Sequence, residues 1–389
     1  MSKPPINKRQ PKGWLSSIAL TIPIALLLAL LLSNGDAAIF KEADKRFSYL
    51  SVLLMDILLF FKMVKTGKTD RYRSILFIVF ALALSVTFIA RMFETRGAMT
   101  YDNTDLLECN VPFCHMVTTM IIVPAVLAQS IIFPGRIEGG FADISSMLVL
   151  VAGALLILGR GFCSWGCFYG GWDDAFSRIR KKAIWKNPPN YLRWGGFAVL
   201  LLVATSSAAL LVPTYCDWVC PYKAVTEFEA VQNMESALKA VVFVSLFLAL
   251  VVILPIFTKK RTQCAWFCPM GALCSITGKA VSPYQIRINT DSCVKCGKCI
   301  SACPMSALDS SSLASGKASM GCSLCGKCID ACPTNSISYH VRFSDKLNKP
   351  ALSRMLFIYA GFTFLAVFSG ATIQHFIILM LRTIANISL

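Results

Sequence analysis

Apolar residues along this chain come in long runs, without the polar interruptions of a half-buried helix or the alternation of a strand. The runs Trp14 to Asn34, Tyr49 to Val64, Ser74 to Phe93, 145–160, 194–214, 238–257 and about 353–373 approach the ~20 residues needed to cross ~30 Å of hydrocarbon. They predict a polytopic α-helical membrane protein of seven or eight spans. The first run follows Lys3, Lys8, Arg9 and Lys12. It is too long for a signal h-region, so it predicts an uncleaved helix with its N-terminus inside. The run Met116 to Phe133 is different: Pro124 and Pro134 bracket its second half, and Gly135, Gly139 and Gly140 follow. Counted as a full span, it would put the basic block Arg178 to Arg193 outside, against the charge bias of membrane loops. It therefore predicts a re-entrant or interfacial segment, which is tolerated only where protein buries it.

Charge agrees with this picture. Only 15% of the 389 residues are charged and 56% are hydrophobic, against roughly 25% charged in soluble domains. The net charge of +17 would raise nucleic acid in a soluble protein, but the positives sit between apolar runs. Arg178, Arg180, Lys181, Lys182, Lys186 and Arg193 form one block, Lys62, Lys65, Lys68, Arg71 and Arg73 a second, and Lys259, Lys260 and Arg261 a third. That is the bias of cytoplasmic loops. It excludes a nucleic-acid partner and predicts the bacterial cytoplasmic membrane, with the N-terminus inside.

Seventeen cysteines exceed what any core needs, and sixteen fall into tight clusters, which favours metal ligation over a disulfide framework. Cys293, Cys296, Cys299 and Cys303 precede Pro304, and Cys322, Cys325, Cys328 and Cys332 precede Pro333. In this bacterial ferredoxin run three close thiolates wrap one cubane and the fourth, before Pro, reaches the other. One [4Fe-4S] cluster is expected on Cys293, Cys296, Cys299 and Cys332, and the second on Cys322, Cys325, Cys328 and Cys303. Zinc would need two C-x-x-C pairs around one ion and leaves the other cysteines and both prolines unexplained. Gln285 to Asn289 and Thr334 to Tyr339 are the expected strands of this cytoplasmic α+β ferredoxin domain.

The remaining pairs recur in order. Cys109 and Cys114 precede Cys163 and Cys167 by one helix, and Cys216 and Cys220 precede Cys264 and Cys268 likewise; 54 residues separate Cys109 from Cys163 and 48 separate Cys216 from Cys264. This predicts an internal two-fold repeat. It gathers Cys163, Cys167, Cys264 and Cys268 at the cytoplasmic face and Cys109, Cys114, Cys216 and Cys220 at the outer face, each set able to hold a further iron–sulfur cluster. Disulfides or copper are the rivals for the outer set. Faces ~30 Å apart are a long step for electrons, so the sites sit deep or something bridges them. Cys274 has no partner in this scheme and reads as structural. The domains follow: N-terminal helices over 1–94, the repeated core over 95–282, the two-cluster ferredoxin over 283–343 and a last span over 344–389.

Around CSWGCFYGGW, CDWVCPYKAV, CAWFCPMGAL and the ferredoxin pair, the chain resembles the polyferredoxin-like membrane proteins that include NapH, NosR and CcoG. The resemblance covers roughly Gly159 to Ser338. It implies a membrane electron-transfer subunit of a quinol-dehydrogenase type complex, passing electrons between a quinone or cytoplasmic donor and a periplasmic acceptor. The implied partners are other subunits, a quinone, a flavoprotein or a cytochrome c. The chain departs from those relatives in carrying Phe168 where they place Pro, and in its additional pairs at Cys109/Cys114 and Cys216/Cys220. A copper-reducing or assembly factor and a redox-driven ion pump using Asp56 are the alternative readings. His115 and His375 are candidate ligands, though core packing is the commoner role of a single histidine. Ser369-Gly370-Ala371-Thr372 is similar to the flavin-bearing sequence of Rnf-type pumps, which marks Thr372 as a candidate FMN site. No C-x-x-C-H occurs, which argues against covalent haem.

Overall fold

The structure is a computed structural model and describes residues 12–33, 38–96, 100–101, 114–127, 129, 144–186, 188–226, 228–347 and 349–387. Among the described residues, seven helices are long and apolar enough to cross a membrane, one for each of the seven runs, and the chain is a membrane protein. They are α1 (Trp14–Ser33), α2 (Ala43–Thr66), α3 (Thr69–Arg96) and α10 (Pro350–Ile387), with the spans Leu148–Trp165, Asn190–Leu210 and Met234–Thr258. The first of those spans holds α5 (Ile144–Leu158), the second α7 (Gly195–Leu210) and the third α8 (Met234–Leu246). Among the described residues between α3 and α5, the one α-helix is α4 (Thr118–Leu127). Its ten residues rise about 15 Å, half the hydrocarbon thickness.

Hydrogen bonds between helix ends fix the directions of the first spans and the last. Lys12 N donates to Lys65 O (3.0 Å), so α1 begins where α2 ends. Gly67, in the left-handed region at φ 72°, then turns the chain into α3. Arg354, at the start of α10, donates to Met63 O (3.0 Å) and Thr69 Oγ1 (3.1 Å) at this same end. At the opposite end Ser48 Oγ donates to Gln374 O (2.8 Å), and Arg382 pairs with Asp44 (2.9 Å).

The ferredoxin-type unit covers the end where α2, α3 and α10 meet. Its strands β1 (Tyr284–Ile288) and β2 (Ile337–Val341) pair antiparallel, Tyr284 opposite Val341 and Ile288 opposite Ile337. Each lies within three residues of its expected range. Tyr339 stacks on Phe357 of α10 at 4.2 Å, and Ser353 Oγ donates to Tyr339 O (2.7 Å). Each basic loop also grips the unit. The backbone amides of Thr69 and Asp70 donate to the Asp330 carboxylate (3.1 and 2.8 Å), and Arg193 pairs with Asp309 (3.0 Å). Lys260 Nζ donates to Cys303 O (2.7 Å), and Arg261 N donates to Pro304 O (2.8 Å). The three basic blocks therefore share one end of the bundle with the ferredoxin unit.

Below this junction α6 (Gly170–Ile179) packs on α3 so closely that a Cβ on Gly171 would stand 2.4 Å from Phe77 O. Close approach lets Asp174 reach Arg73 (3.0 Å) and Arg178 (3.1 Å), while Asp70 binds the same two arginines at 2.9 and 2.8 Å. Arg73 and Asp174 are fully buried. Removing one member of such a network strands an uncompensated charge. Asp174→Ala is expected to cost ~3–5 kcal/mol, read as a large fall in melting temperature of the detergent-solubilised protein, whereas Lys45→Ala, in an exposed pair with Glu42, leaves it within about 1 °C.

Candidate iron–sulfur centres

Each half of the ferredoxin unit repeats one backbone pattern. Lys295 and Leu324 (φ 50° and 53°), Gly297 and Gly326 (70° and 85°), and Ser306 and Asn335 (51° and 55°) occupy equivalent left-handed positions. Cys303 and Cys332 are extended, at ψ 113° and 119°, as the residue before proline must be. These turns curl the chain around two small enclosed spaces. One is lined by Cys293, Cys296, Cys299 and Cys332, the other by Cys303, Cys322, Cys325 and Cys328. Among the described residues no group of three or more His, Cys, Asp or Glu side chains could hold a single metal ion. Zinc requires thiolates converging to about 2.3 Å from one point; four cysteines spread around a cavity suit a bulkier cluster.

The two rings differ in surroundings. Cys296 is exposed, whereas Cys325 and Cys328 are buried. Burial pushes the Cys322 thiol up to about 12 and Cys325 up to about 11, so these thiols hold their protons at neutral pH unless a cation compensates them. Iron supplies that charge. Cys303 Sγ already accepts from Ala307 N (3.3 Å).

In the membrane core the structure gathers Cys163, Cys167, Cys264 and Cys268. Cys167 lies within electrostatic reach of Cys163 and Cys268, and Cys264 within reach of Cys167 and Cys268. Arg261 donates to Cys264 Sγ (3.2 Å) and Cys163 O (2.7 Å), and Gly271 N donates to Cys268 Sγ (3.4 Å). Cys274 is not partnerless, contrary to expectation: it is fully buried on α9 (Pro269–Ala280) and hydrogen-bonds to Cys163. Cys274 lies six residues, about one and two-thirds turns, beyond Cys268, and its hydrogen bond sets it beside Cys163.

The expected separation of two sets onto opposite faces does not hold. Cys114, Cys216 and Cys220 pack into the same apolar cluster as Cys163, Cys167 and Cys268. His115 Nε2 stands 3.3 Å from Cys167 Sγ, and Cys114 donates to the Tyr169 hydroxyl (3.6 Å). Tyr169 stacks on Tyr222 at 4.2 Å and 11°. Tyr215, beside Cys216, accepts from Gln263, beside Cys264 (3.0 Å). The cause is that the loop after α7 turns inward at Leu211 (φ 54°), with Thr214 bound to Ser206 and Ser207 (both 2.8 Å). The π turn Tyr215–Val219 then satisfies the backbone. Cys264 sits on the matching π turn Gln263–Phe267, which Cys268 ends, and Cys220 and Cys268 are both extended before proline. Phe168 replaces that proline after Cys167 and packs edge-on against His115 (4.7 Å). Cys109 lies outside the described residues.

Thr372 and His375 are half-buried on α10, near its Gln374 contact at the end away from the ferredoxin unit. Asp56 is fully buried and neither carboxylate oxygen has a partner among the described residues. Sequence reasoning missed Tyr169, Tyr222, Arg160 and Arg261. All four flank the cysteine motifs, and a charged or hydroxyl-bearing residue inside an apolar run is the signal that finds them.

Comparison with known families and proteins agrees with this chemistry. Residues 285–333 match a 4Fe-4S dicluster domain, and residues 140–186, 192–230 and 241–283 each match a 4Fe-4S binding domain. The chain carries 4Fe-4S ferredoxin-type domains. It is 29% identical over 181 residues to an uncharacterized protein of Methanocaldococcus jannaschii, covering 43% of this chain and 68% of that one. It is 31% identical over 176 residues to the putative electron transport protein YccM of Escherichia coli, covering 41% and 46%. It is 28% identical over 185 residues to the methylamine utilization ferredoxin-type protein MauN of Methylobacillus flagellatus, covering 46% and 60%. The match thus spans less than two thirds of YccM and MauN. No solved structure matches. It is thus a membrane protein with 4Fe-4S domains.

The two glycine turns provide a test. A Cβ on Gly326 would stand 2.7 Å from the Tyr339 hydroxyl, whereas one on Gly297 would meet nothing within 4 Å. Gly297→Ala is expected to cost only the left-handed backbone penalty of ~1–2 kcal/mol. Gly326→Ala also displaces Tyr339, so it should lose about half the ferredoxin iron and the corresponding visible absorbance, which Gly297→Ala retains.

Proposed function

We propose that the chain carries electrons from the cytoplasmic side into the membrane interior, through two clusters in the ferredoxin unit and one or two more held by the membrane thiols. Cys293, Cys296, Cys299 and Cys332 would hold the outlying cluster, and Cys303, Cys322, Cys325 and Cys328 the one at the junction. Cys163, Cys167, Cys264 and Cys268 would hold the next, with Cys114, Cys216, Cys220 and Cys109 as the terminal set. Each cluster, when bound, supplies a one-electron carrier. The grouping of all three basic blocks around the ferredoxin unit supports a cytoplasmic position for that end, with α1 entering from the same side.

The contact that carries the reading is between Ser164 and Ser323. Their hydroxyls are 2.8 Å apart, both fully or almost fully buried. Ser164 follows Cys163 and Ser323 follows Cys322, so one hydrogen bond joins the backbone of the buried ferredoxin ring to that of the membrane set. Trp165 Nε1 donates to Leu324 O (3.1 Å) and locks the same register. Arg261 donates to Ser164 Oγ (2.7 Å). Such packing excludes water and keeps the donor and acceptor centres at a fixed short separation, which is what electron tunnelling needs from a protein.

Iron and sulfide analysis of anaerobically purified protein tests the assignment. About sixteen irons are expected with both membrane sets filled, about twelve with one, and about eight would reduce the chain to a tethered ferredoxin. Ser323→Ala should leave iron content unchanged yet slow electron transfer from the ferredoxin clusters to the membrane centre at least several-fold in rapid-mixing experiments, with Ser323→Thr restoring much of the rate.

A further inference from the structure

A cavity of about 710 Å³ opens between the ferredoxin unit and the ends of α5 and α9, sharing Cys322 with the buried ring. Arg160, Lys279, Arg287, Lys317 and Arg342 line it, and no acidic residue does. Arg342 is occupied, donating to the carbonyls of Gly278 (3.2 Å), Lys279 (2.7 Å) and Ser282 (3.2 Å) at the end of α9. Arg160 donates to Cys264 O (3.1 Å), and its buried Nε has no partner. None of the five cations enters an ion pair among the described residues. Like charges around one space repel, and a bound anion relieves them.

Exposed apolar residues adjoin the lining stretches in sequence. Leu156 and Ile157, next to the lining residue Leu158, are 57% and 40% exposed; Ile276 and Val281, flanking the lining stretch Gly278–Ala280, are 49% and 42% exposed. Ser282 Oγ donates to Ile157 O (3.5 Å), which ties the two strips together. A cationic recess at the end of membrane helices, with exposed apolar residues on the adjoining helix ends, suits a lipid headgroup.

From this we infer that the cavity binds a phosphate-bearing anion, most simply the headgroup of an acidic phospholipid, with soluble phosphate as the other source of the same chemistry. The wall includes Cys322, which also lines the buried ferredoxin ring. An anion held here therefore adds negative charge beside the centre at the junction and lowers its reduction potential, linking electron flow to lipid composition. The binding itself does not depend on the proposed electron route.

Native mass spectrometry of the full-length protein, released from nanodiscs of phosphatidylcholine and phosphatidylglycerol, tests the site. One phosphatidylglycerol is expected to remain bound in preference to phosphatidylcholine. Lys279 and Lys317 are exposed, so Lys279→Glu with Lys317→Glu leaves the fold and iron content intact while cutting retention roughly tenfold or more. Displacement of the lipid by inorganic phosphate, with phosphate itself retained by the native protein and not by the variant, assigns the site to a soluble ligand. Equal retention of the two lipids without phosphate binding, or retention unchanged in the variant, overturns the proposal.

Discussion

Non-helical backbone cannot face lipid, because nothing there pairs its amides and carbonyls. Yet among the described residues Cys216 and Cys264 lie on π turns, Cys220 and Cys268 end them, and Cys163 sits in a single helical turn, Phe162–Trp165, so the surrounding protein must satisfy the free groups of these segments. Three buried arginines do much of this. Arg73 donates to Ser164 O (2.9 Å), Arg261 to Cys163 O, and Arg160 to Cys264 O. Each guanidinium offers several donors in a fixed fork, which suits a turn with several free carbonyls. Their charge has a second effect: it opposes the negative charge that gathered thiolates would bring. The spans around the turns act as a sheath, and α4, too short to cross, fills the space beside them.

That constraint explains what was legible in the sequence. Regular periodicity marked the seven spans, and the Cys-Pro spacing marked which cysteines line each ferredoxin space, including the fourth that crosses to the other half, since local geometry dictates which thiols face each cavity. The strands lay within three residues of their expected places, the usual uncertainty where no residue pins an end. The depth of Cys114, Cys216 and Cys220 was not legible. It depends on Leu211 turning the chain back inward and on Tyr215 reaching Gln263, contacts between segments 48 residues apart in sequence (263 minus 215). The partner of Cys274 was hidden for the same reason, because its neighbour Cys163 comes from another span.

The inward loops also change the electron-transfer problem. Sites at two faces would have been separated by ~30 Å, a gap that no packing could shorten. With His115 against Cys167 and Tyr169 between Cys114 and the ring of Tyr222, the two thiol sets instead share one aromatic layer. On the proposed reading the bilayer is crossed in two shorter stages: from the junction to the core by the fixed Ser164 to Ser323 contact, and onward through the core's aromatic layer. The tyrosines are apolar bodies with polar tips, so they can fill a dry gap while their hydroxyls meet a thiol.

The gradient of exposure along the chain gives this arrangement a direction of access. The ring containing Cys296 is open to solvent, the ring containing Cys325 and Cys328 is closed, and the core thiols are enclosed by helices. Among the cysteines of the two rings Cys296 is the one exposed thiol, so a partner in the water phase approaches the first ring most closely. Burial at the second ring also strengthens every charge interaction around it. Arg160 acts on Cys322 from the membrane side and on Cys163 and Cys268 from the ferredoxin side. On the proposed reading one buried cation would thus bias both centres in the same sense, so that a change in its surroundings would shift the pair together and leave the driving force between them less altered than either potential alone.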